Sequence, residues 1–477
     1  MHFKTIFKSL KNKDMLKRVA VIFGIIVAYR LLAQIPVPMG DAGTFKEAVS
    51  NLLEKSDFSN FLNLISGGGL ASFSIILVGL SPYITGSIVI QLLTKAIPSL
   101  EELSNDGETG RRKINQWTRM LTVPLAIMQS VAYIFILYKS TISANIATDF
   151  VPTMGDWALS VTAMTAGSLI LMWMGELITE QGIGNGISTM IFASIISQLP
   201  NTMASLGSSL FDTSKGSLSL FGWFNLPVNP TVFWIILGFS VAMIVVIYFL
   251  VKINEAQRII TINYAKRVHG NSSYGGIRSI LPIKLIAAGV IPVIFATAFL
   301  SLPALVGQVI TTVNPGNEFG TTLVTVFSAP SANNFASMYP DGITGQWFVY
   351  PALYFALVFM FTYFYTSIIF NTKEIADNLQ KQGGFIEGVR PGISTSKYLS
   401  KVVNRLDLFG ALALGLIAML PFITDYVFIL VTGAPIGLSI SGTGLLIVVT
   451  VALENLRSVD SRALMITYDD FGDELEN

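Results

Sequence analysis

Few residues in this chain could do acid–base, thiol or metal chemistry. There is no cysteine, which excludes disulfides and thiol catalysis. The only histidines are His2, in the N-terminal segment, and His269, in a polar stretch. No H-E-x-x-H metal motif occurs, and no G-x-x-x-x-G-K-[ST] phosphate loop that would make the chain an ATPase of that type. The stretch Gly182-Ile-Gly-Asn-Gly-Ile-Ser188 has the look of a dinucleotide loop, but it lacks the G-x-G-x-x-G spacing and follows an apolar run instead of a strand. Asp156, Glu176 and Asp407 stand only at the edges of apolar runs. A carrier driven by protons or sodium usually keeps a carboxylate inside the membrane, because a charge buried there without function is costly. These residues predict no enzyme, no cofactor and no metal site, and they count against a secondary transporter.

The elements around these residues are set by apolar length. The chain has 477 residues, 52% of them hydrophobic and only 12% charged, about half the charged fraction of a soluble domain. Its apolar residues gather in runs of about 20, the length a helix needs to cross the hydrocarbon layer. The runs are continuous, not alternating, which argues against a β-barrel. Ten spans are predicted, at 18–36, 73–95, 117–138, 156–177, 184–203, 231–253, 284–311, 347–370, 405–424 and 436–454. The segment Asn60–Ser72, with Gly67, Gly68 and Gly69, is too short to span and reads as a re-entrant or interior piece shielded by protein.

Lys and Arg give the orientation. With a cytoplasmic N-terminus, 25 of the 30 fall in inner segments, four in outer segments, and Arg30 inside the first span. The positive-inside rule then puts both termini in the cytoplasm. The first apolar run has no A-x-A cleavage site after it and is expected to be a retained span. Arg30 is expected either to snorkel outward or to make a buried polar contact. Two long basic inner loops, 254–283 and 371–404, suggest a docking face for something large or acidic, although orientation alone would also explain their charge.

Five spans precede the outer loop at 204–230 and five follow it, so the halves enter from opposite sides, as inverted repeats do. The expected division is an N-terminal segment 1–17, a first half 18–203, a hinge loop 204–230, a second half 231–454 and a tail 455–477.

Several stretches then carry a resemblance. They are Leu64-Ile-Ser-Gly-Gly-Gly-Leu-Ala71, Gly79-Leu-Ser-Pro-Tyr-Ile-Thr85, Ile90-Gln-Leu-Leu93 and Gly107-Glu-Thr-Gly-Arg-Arg-Lys-Ile114. The most specific runs from Leu171-Met-Trp-Met-Gly-Glu to Gly182-Ile-Gly-Asn-Gly-Ile-Ser188. Further on come Asn263-Tyr-Ala-Lys-Arg267, Leu281-Pro-Ile-Lys284, Gly289-Val-Ile-Pro-Val-Ile-Phe-Ala296, Ala376-Asp-Asn-Leu-Gln-Lys-Gln-Gly-Gly-Phe385, Gly388-Val-Arg-Pro-Gly392 and Gly442-Thr-Gly-Leu-Leu-Ile-Val-Val449. In this order, and with this span number and orientation, the chain resembles the SecY family, the pore-forming subunits of the bacterial protein translocase.

The resemblance implies an all-α membrane protein whose two halves surround an hourglass pore for unfolded preproteins in the inner membrane. Signal peptides and membrane segments would leave sideways into the lipids, between spans two and three and spans seven and eight. The pore ring would be Leu80, Ile84, Ile187, Ile191, Ile294 and Ile447. Aliphatic side chains neither hold a passing polypeptide nor prefer its sequence, and a narrow apolar constriction dewets and blocks ions. Taken singly, each would read as ordinary helix packing. The plug would lie at about 60–72, with Asn63, Ser66, Gly67, Gly68 and Gly69, and Gln91 would be a polar latch on the gate. Partner docking would use Arg111, Arg112, Arg258, Lys266, Arg267 and Arg390. The implied partners are the ribosome (RNA and protein), a SecA-type ATPase and small SecE-type and SecG-type membrane subunits. Two positions depart from the family: the arginine-rich tip of the 254–283 loop keeps only Arg258 in Asn254-Glu-Ala-Gln-Arg-Ile259, and Ile286 stands where a gate asparagine is usual.

Overall fold

Each predicted span overlaps one long helix. The computed structural model describes residues 13–38, 72–143, 152–211, 218–220, 224–226, 228–264, 267–269, 272–274, 278–314, 316–328, 348–432 and 442–476. The long helices are α1 (Lys13–Leu32), α2 (Ser81–Ala96), α4 (Gly107–Ser143), α5 (Met154–Glu180), α6 (Gly186–Leu210), α7 (Pro230–Glu255), α8 (Ile291–Val313), α10 (Val349–Ile369), α12 (Ile393–Thr432) and α13 (Gly442–Glu476). Three short helices join them: α3 (Pro98–Asn105), α9 (Glu318–Phe327) and α11 (Thr372–Lys381). Among the described residues, six helices are long and apolar enough to cross a membrane on length and composition, or seven if α2 and α3, bent by 108°, form one span. Helix α1 is diluted by Lys17, Arg18 and Arg30, and the apolar part of α6 is the shorter piece Gly186–Pro200.

The helix boundaries depart from the predicted spans in an informative way. Helices α4 and α12 run well past their apolar cores, and α13 continues to Glu476, so the expected tail 455–477 extends the last helix. Hydropathy sees only the membrane part of such helices. Predicted spans two and seven are wrong at their starts: residues 72–80 and 285–290 form turns, and helix begins only at Ser81 and Ile291. Both stretches are apolar enough to pass for helix. The backbone is turned instead by Gly79 at φ 64° and Gly289 at φ 62°, a conformation that costs other residues.

Non-helical backbone at membrane depth survives only where protein satisfies it. Around residues 72–80, Val37 N donates to Phe73 O at 2.8 Å and Ile75 N to Ile35 O at 3.0 Å. Ser168 Oγ on α5 donates to Gly79 O at 2.9 Å. Gly167 lets α5 touch this turn, since a Cβ there would collide with Ile75 O. Gly410 does the same for α12 against Leu285 O.

Within the bundle α2 packs on α4 and α8, α5 on α4 and α6, α10 on α8 and α12, and α13 on α6, α7 and α12. Helix α5 opens with a capping box between Thr153 and Asp156. Arg30 donates to Ser197 Oγ on α6 at 3.0 Å, so the first-span arginine makes the buried-type polar contact. The expected hinge 204–230 holds the short antiparallel strands β1 (Leu218–Leu220) and β2 (Phe224–Leu226), and Asn229 N bonds Leu210 O at its base.

The two basic loops meet. Strand β3 (Gln257–Tyr264) pairs with β6 (Arg278–Lys284) in its own loop and with β7 (Gly384–Ile386) in the other, giving the order β6-β3-β7. Between them, β4 (Arg267–His269) pairs with β5 (Ser272–Tyr274). Ile260, Ile283, Ile386, Leu399 and Val403 form a small core beneath the sheet.

Candidate functional site

Four helices carry the residues predicted to form the ring, and three of them are started by local signals of their own. Leu80 is the N-cap of α2 and Pro82 lies in its first turn; Ile84 follows one turn later. Val290 caps α8 in the same backbone state, with Pro292 in the first turn and Ile294 one turn later. Pro suits this position because its missing N–H would find no helical partner anyway. Helix α6 is capped by Asn185, whose Oδ1 accepts from Ile187 N at 3.0 Å and Ser188 N at 3.4 Å. Gly186 must be glycine there, because a Cβ would run into Gly175 O. These caps set Ile187 and Ile191 on the face of α6 that meets α13 and its Ile447.

All six fall in or against one large apolar cluster. Leu80, Ile84, Ile191, Ile294 and Ile447 are buried members of one apolar cluster, and Ile187, partly buried, packs against it. Ile187 also lies on Gly175 of α5, its Cγ1 3.2 Å from where a glycine Cβ would be. The residues come from both halves of the chain, and the two halves touch on both sides of the cluster. On one side α8 packs on α2 and α4; on the other α6 packs on α13. The second contact is pinned by Thr189 and Asn455, whose Nδ2 donates to Thr189 Oγ1 at 3.2 Å. The seam is shut in this structure.

Next to the cluster, a cavity of about 480 Å³ is bounded by Asn185, Lys284, Gly289, Tyr365, Glu454 and Arg457. It lies between the end of β6 and the turn that starts α8, so it forms a polar mouth on the side of the three-stranded sheet. Arg457 donates to Asn254 O at 3.0 Å. Burial pushes the Lys284 ammonium below its usual range, nearby Arg457 adds to this, and Glu454 opposes it.

Not every predicted residue sits as expected. Gln91 donates to Ser87 on its own helix at 2.9 Å, and its buried Oε1 has no hydrogen-bond partner among the described residues. The bond expected to cross the gate is therefore absent from this arrangement. Ile286 is buried in the same large cluster as the ring residues. Arg258 and Arg390 are exposed, and β3–β7 pairing brings their loops side by side. Arg111 is exposed, and Arg112 pairs with Glu108 at 2.7 Å, both largely in solvent. Arg267 lies on β4 opposite Tyr274. Lys266 and the plug residues Asn63, Ser66, Gly67, Gly68 and Gly69 lie outside the described residues. Asp407, expected at a span edge, is buried within α12 and hydrogen-bonded to Thr366 of α10.

Sequence reasoning missed Val290, Ser168 and the Lys284–Glu454–Arg457 mouth. A signal for the first was present: Gly79-Leu-Ser-Pro-Tyr-Ile84 and Gly289-Val-Ile-Pro-Val-Ile294 share the pattern G-x-x-P-x-I at equivalent places in the two halves.

The comparisons with known proteins agree with this architecture. The family model described as SecY matches residues 74–456. The chain belongs to the SecY family. It is 36% identical to a protein translocase subunit SecY of Streptomyces scabiei, over 97% of this chain and 98% of that protein. A protein of the same name from Corynebacterium glutamicum is also 36% identical, with the same coverage. Among solved structures it resembles one titled the structure of a protein conducting channel, with a TM-score of 0.60 at 18% identity, covering 92% of this chain and 91% of that one. It also resembles Sec61 in a canine ribosome-channel complex, with a TM-score of 0.57 at 18% identity and the same coverage. At that identity the likeness speaks to the fold. Membership places the chain among multi-pass membrane channel subunits and not among enzymes.

Proposed function

We propose that this SecY-family chain is the conduit of a bacterial protein translocase. Unfolded preproteins pass through the waist formed by Leu80, Ile84, Ile187, Ile191, Ile294 and Ile447, and apolar segments leave between α2 and α4 on one side and α8 and α10 on the other. The observation that carries this reading is the convergence of six aliphatic residues, drawn from four helices and both halves, at a shut seam with a polar mouth beside it. A shut apolar waist excludes water and ions when no polypeptide fills it.

Ten spans with both termini in the cytoplasm fit the charge bias, and β3–β7 pairing supports it. Strands that share a sheet lie on one side of the membrane, so an even number of crossings, α8 and α10, separates them. The paired loops with Arg258, Lys266, Arg267 and Arg390 form one docking platform for the ribosome or a SecA-type ATPase, with Arg111 and Arg112 serving the same role. Guanidinium groups suit both RNA phosphate and protein carboxylates. Small SecE-type and SecG-type subunits would cover outward apolar faces such as that of α7, and residues 60–72 would act as the plug.

Absence of cysteine makes the test clean. A single Cys at Ile191 and a control at the outward-facing Phe249, 56% exposed, are compared while a secretory precursor is stalled in transit. Crosslinking at 191 but not at 249 is expected. Intact translocation with crosslinking at neither position would overturn the assignment of the waist.

A further inference from the structure

Helix α12 carries a stripe that no part of the channel reading uses. Lys397, Lys401 and Arg405 follow one another at helical spacing, and Leu408, Leu412 and Leu416 continue the same face. All six are exposed, the leucines by 43%, 39% and 57%. None of the three cations has an ion pair or side-chain hydrogen bond among the described residues. A cavity of about 440 Å³ lies over the basic part, lined by Tyr363, Lys397, Ser400, Lys401, Asn404 and Arg405 with Leu408 at its end.

The other wall is aromatic. Phe355, Phe359 and Tyr363 follow one another along α10 with ring centroids 6.3 and 5.2 Å apart, the first pair stacked and the second tilted. Phe355 sits on Gly415 of α12, its ring 2.7 Å from where a glycine Cβ would be. The two helices thus frame one groove that is cationic at the platform end and apolar beyond Leu408. From Arg405 to Leu416 it runs about 16 Å, close to half of the ~30 Å hydrocarbon thickness. Asp407, on the same helix, hydrogen-bonds to Thr366 and is buried.

We propose that this groove binds one anionic glycerophospholipid of the leaflet on the platform side. Its phosphate meets Lys397, Lys401 and Arg405, its glycerol region meets Ser400 and Asn404, and one acyl chain lies along Leu408, Leu412 and Leu416 against the Phe355–Phe359–Tyr363 ladder. Basic pockets between membrane helices are suited to anionic headgroups, and the apolar continuation distinguishes a lipid from a free phosphate.

The test reconstitutes the full chain in neutral phosphatidylcholine nanodiscs containing a trace of photoactivatable phosphatidylglycerol or photoactivatable phosphatidylcholine. Labelled peptides are mapped after irradiation. Labelling of 355–363 and 405–416 by the anionic probe is expected, falling about fivefold for each charge removed in Lys397→Gln, Lys401→Gln and Arg405→Gln. The charge-keeping Lys397→Arg, Lys401→Arg and Arg405→Lys set should label normally, which separates binding from folding. Leu412→Trp, which fills the groove and leaves the charges, should lose labelling as well. Equal labelling by phosphatidylcholine would overturn the proposal, and so would full displacement by inorganic phosphate, which would make the site one for a free anion.

Discussion

Gly79 and Gly289 hold the same position in the two halves of the chain: φ is 64° at one and 62° at the other, and a proline stands three residues on and an isoleucine of the proposed ring five residues on. The equivalence reaches further. Each glycine ends a turn whose carbonyl at Ile75 or Leu285 is pressed against a glycine of a neighbouring helix, Gly167 in α5 and Gly410 in α12. Inverted halves inferred from span counting thus share an atomic device for starting the helices on either side of the seam.

The device predicts paired losses. Gly79→Ala and Gly289→Ala each force a Cβ into the left-handed region and should cost about 1–2 kcal/mol. Asn, which tolerates that region better, should cost less at both sites. Thermal unfolding of the full chain in detergent measures both series. A destabilisation confined to one of the two glycines would break the proposed equivalence.

The sheet that joins the two loops makes a separate prediction. Ile262 is buried and faces Ile386 across the β3–β7 pair. Ile262→Asp places a buried carboxylate opposite Ile386, a member of the small core under the sheet, and should detach β7 from β3, because a buried unpaired charge is costly. Binding to ribosomes or to a SecA-type ATPase should fall at least about tenfold, while the ion seal of the waist stays intact. Unchanged binding would mean that the two loops dock independently of their shared sheet.

How much of this is legible in the sequence follows from range. The long helices are readable because hydropathy is local: an apolar run such as 347–370 declares its own α10 with no help from the rest of the chain. The turn at 72–80 is not, since Phe73, Ile75, Ile76, Leu77 and Val78 are as apolar as any helix and only Gly79 and Pro82 betray it. Pairing of Asn263 with Phe385 joins residues more than a hundred positions apart and leaves no local trace. Gln91 shows the opposite limit: its residue type is fit for a latch, but its bond goes to Ser87 on the same helix. The Lys397–Lys401–Arg405 spacing is visible in the sequence yet reads there only as basic charge at an inner loop, for docking or orientation, because the groove beside it is made by α10.

Glu176, which stands at a span edge in the sequence, is tied to a neighbouring helix. Arg119 Nε on α4 donates to Glu176 Oε1 on α5 at 2.7 Å, with the carboxylate side chain 19% exposed and the guanidinium 49%. A double-mutant cycle with Arg119→Met and Glu176→Gln should give a coupling of about 0.2–1 kcal/mol that shrinks as salt is raised. A coupling indistinguishable from zero at low salt would show that the pair does not hold α4 to α5.

The assignment of the waist is tested most sharply by two isoleucines one helical turn apart. Ile191 and Ile195 of α6 are both buried in the same cluster, at 1% and 5% exposure, yet only Ile191 belongs to the proposed ring. Replacing either with Ser removes buried carbon and introduces a hydroxyl, so both should lose about 2–5 kcal/mol of stability. Only Ile191→Ser should wet the constriction and raise the resting ion conductance of the full chain in planar bilayers. Ile187→Ser, at a partly buried position on the edge of the cluster, should leak less than Ile191→Ser. Equal conductance from the Ile191 and Ile195 variants would mean that the six residues are ordinary core and that the path, if the chain has one, runs elsewhere.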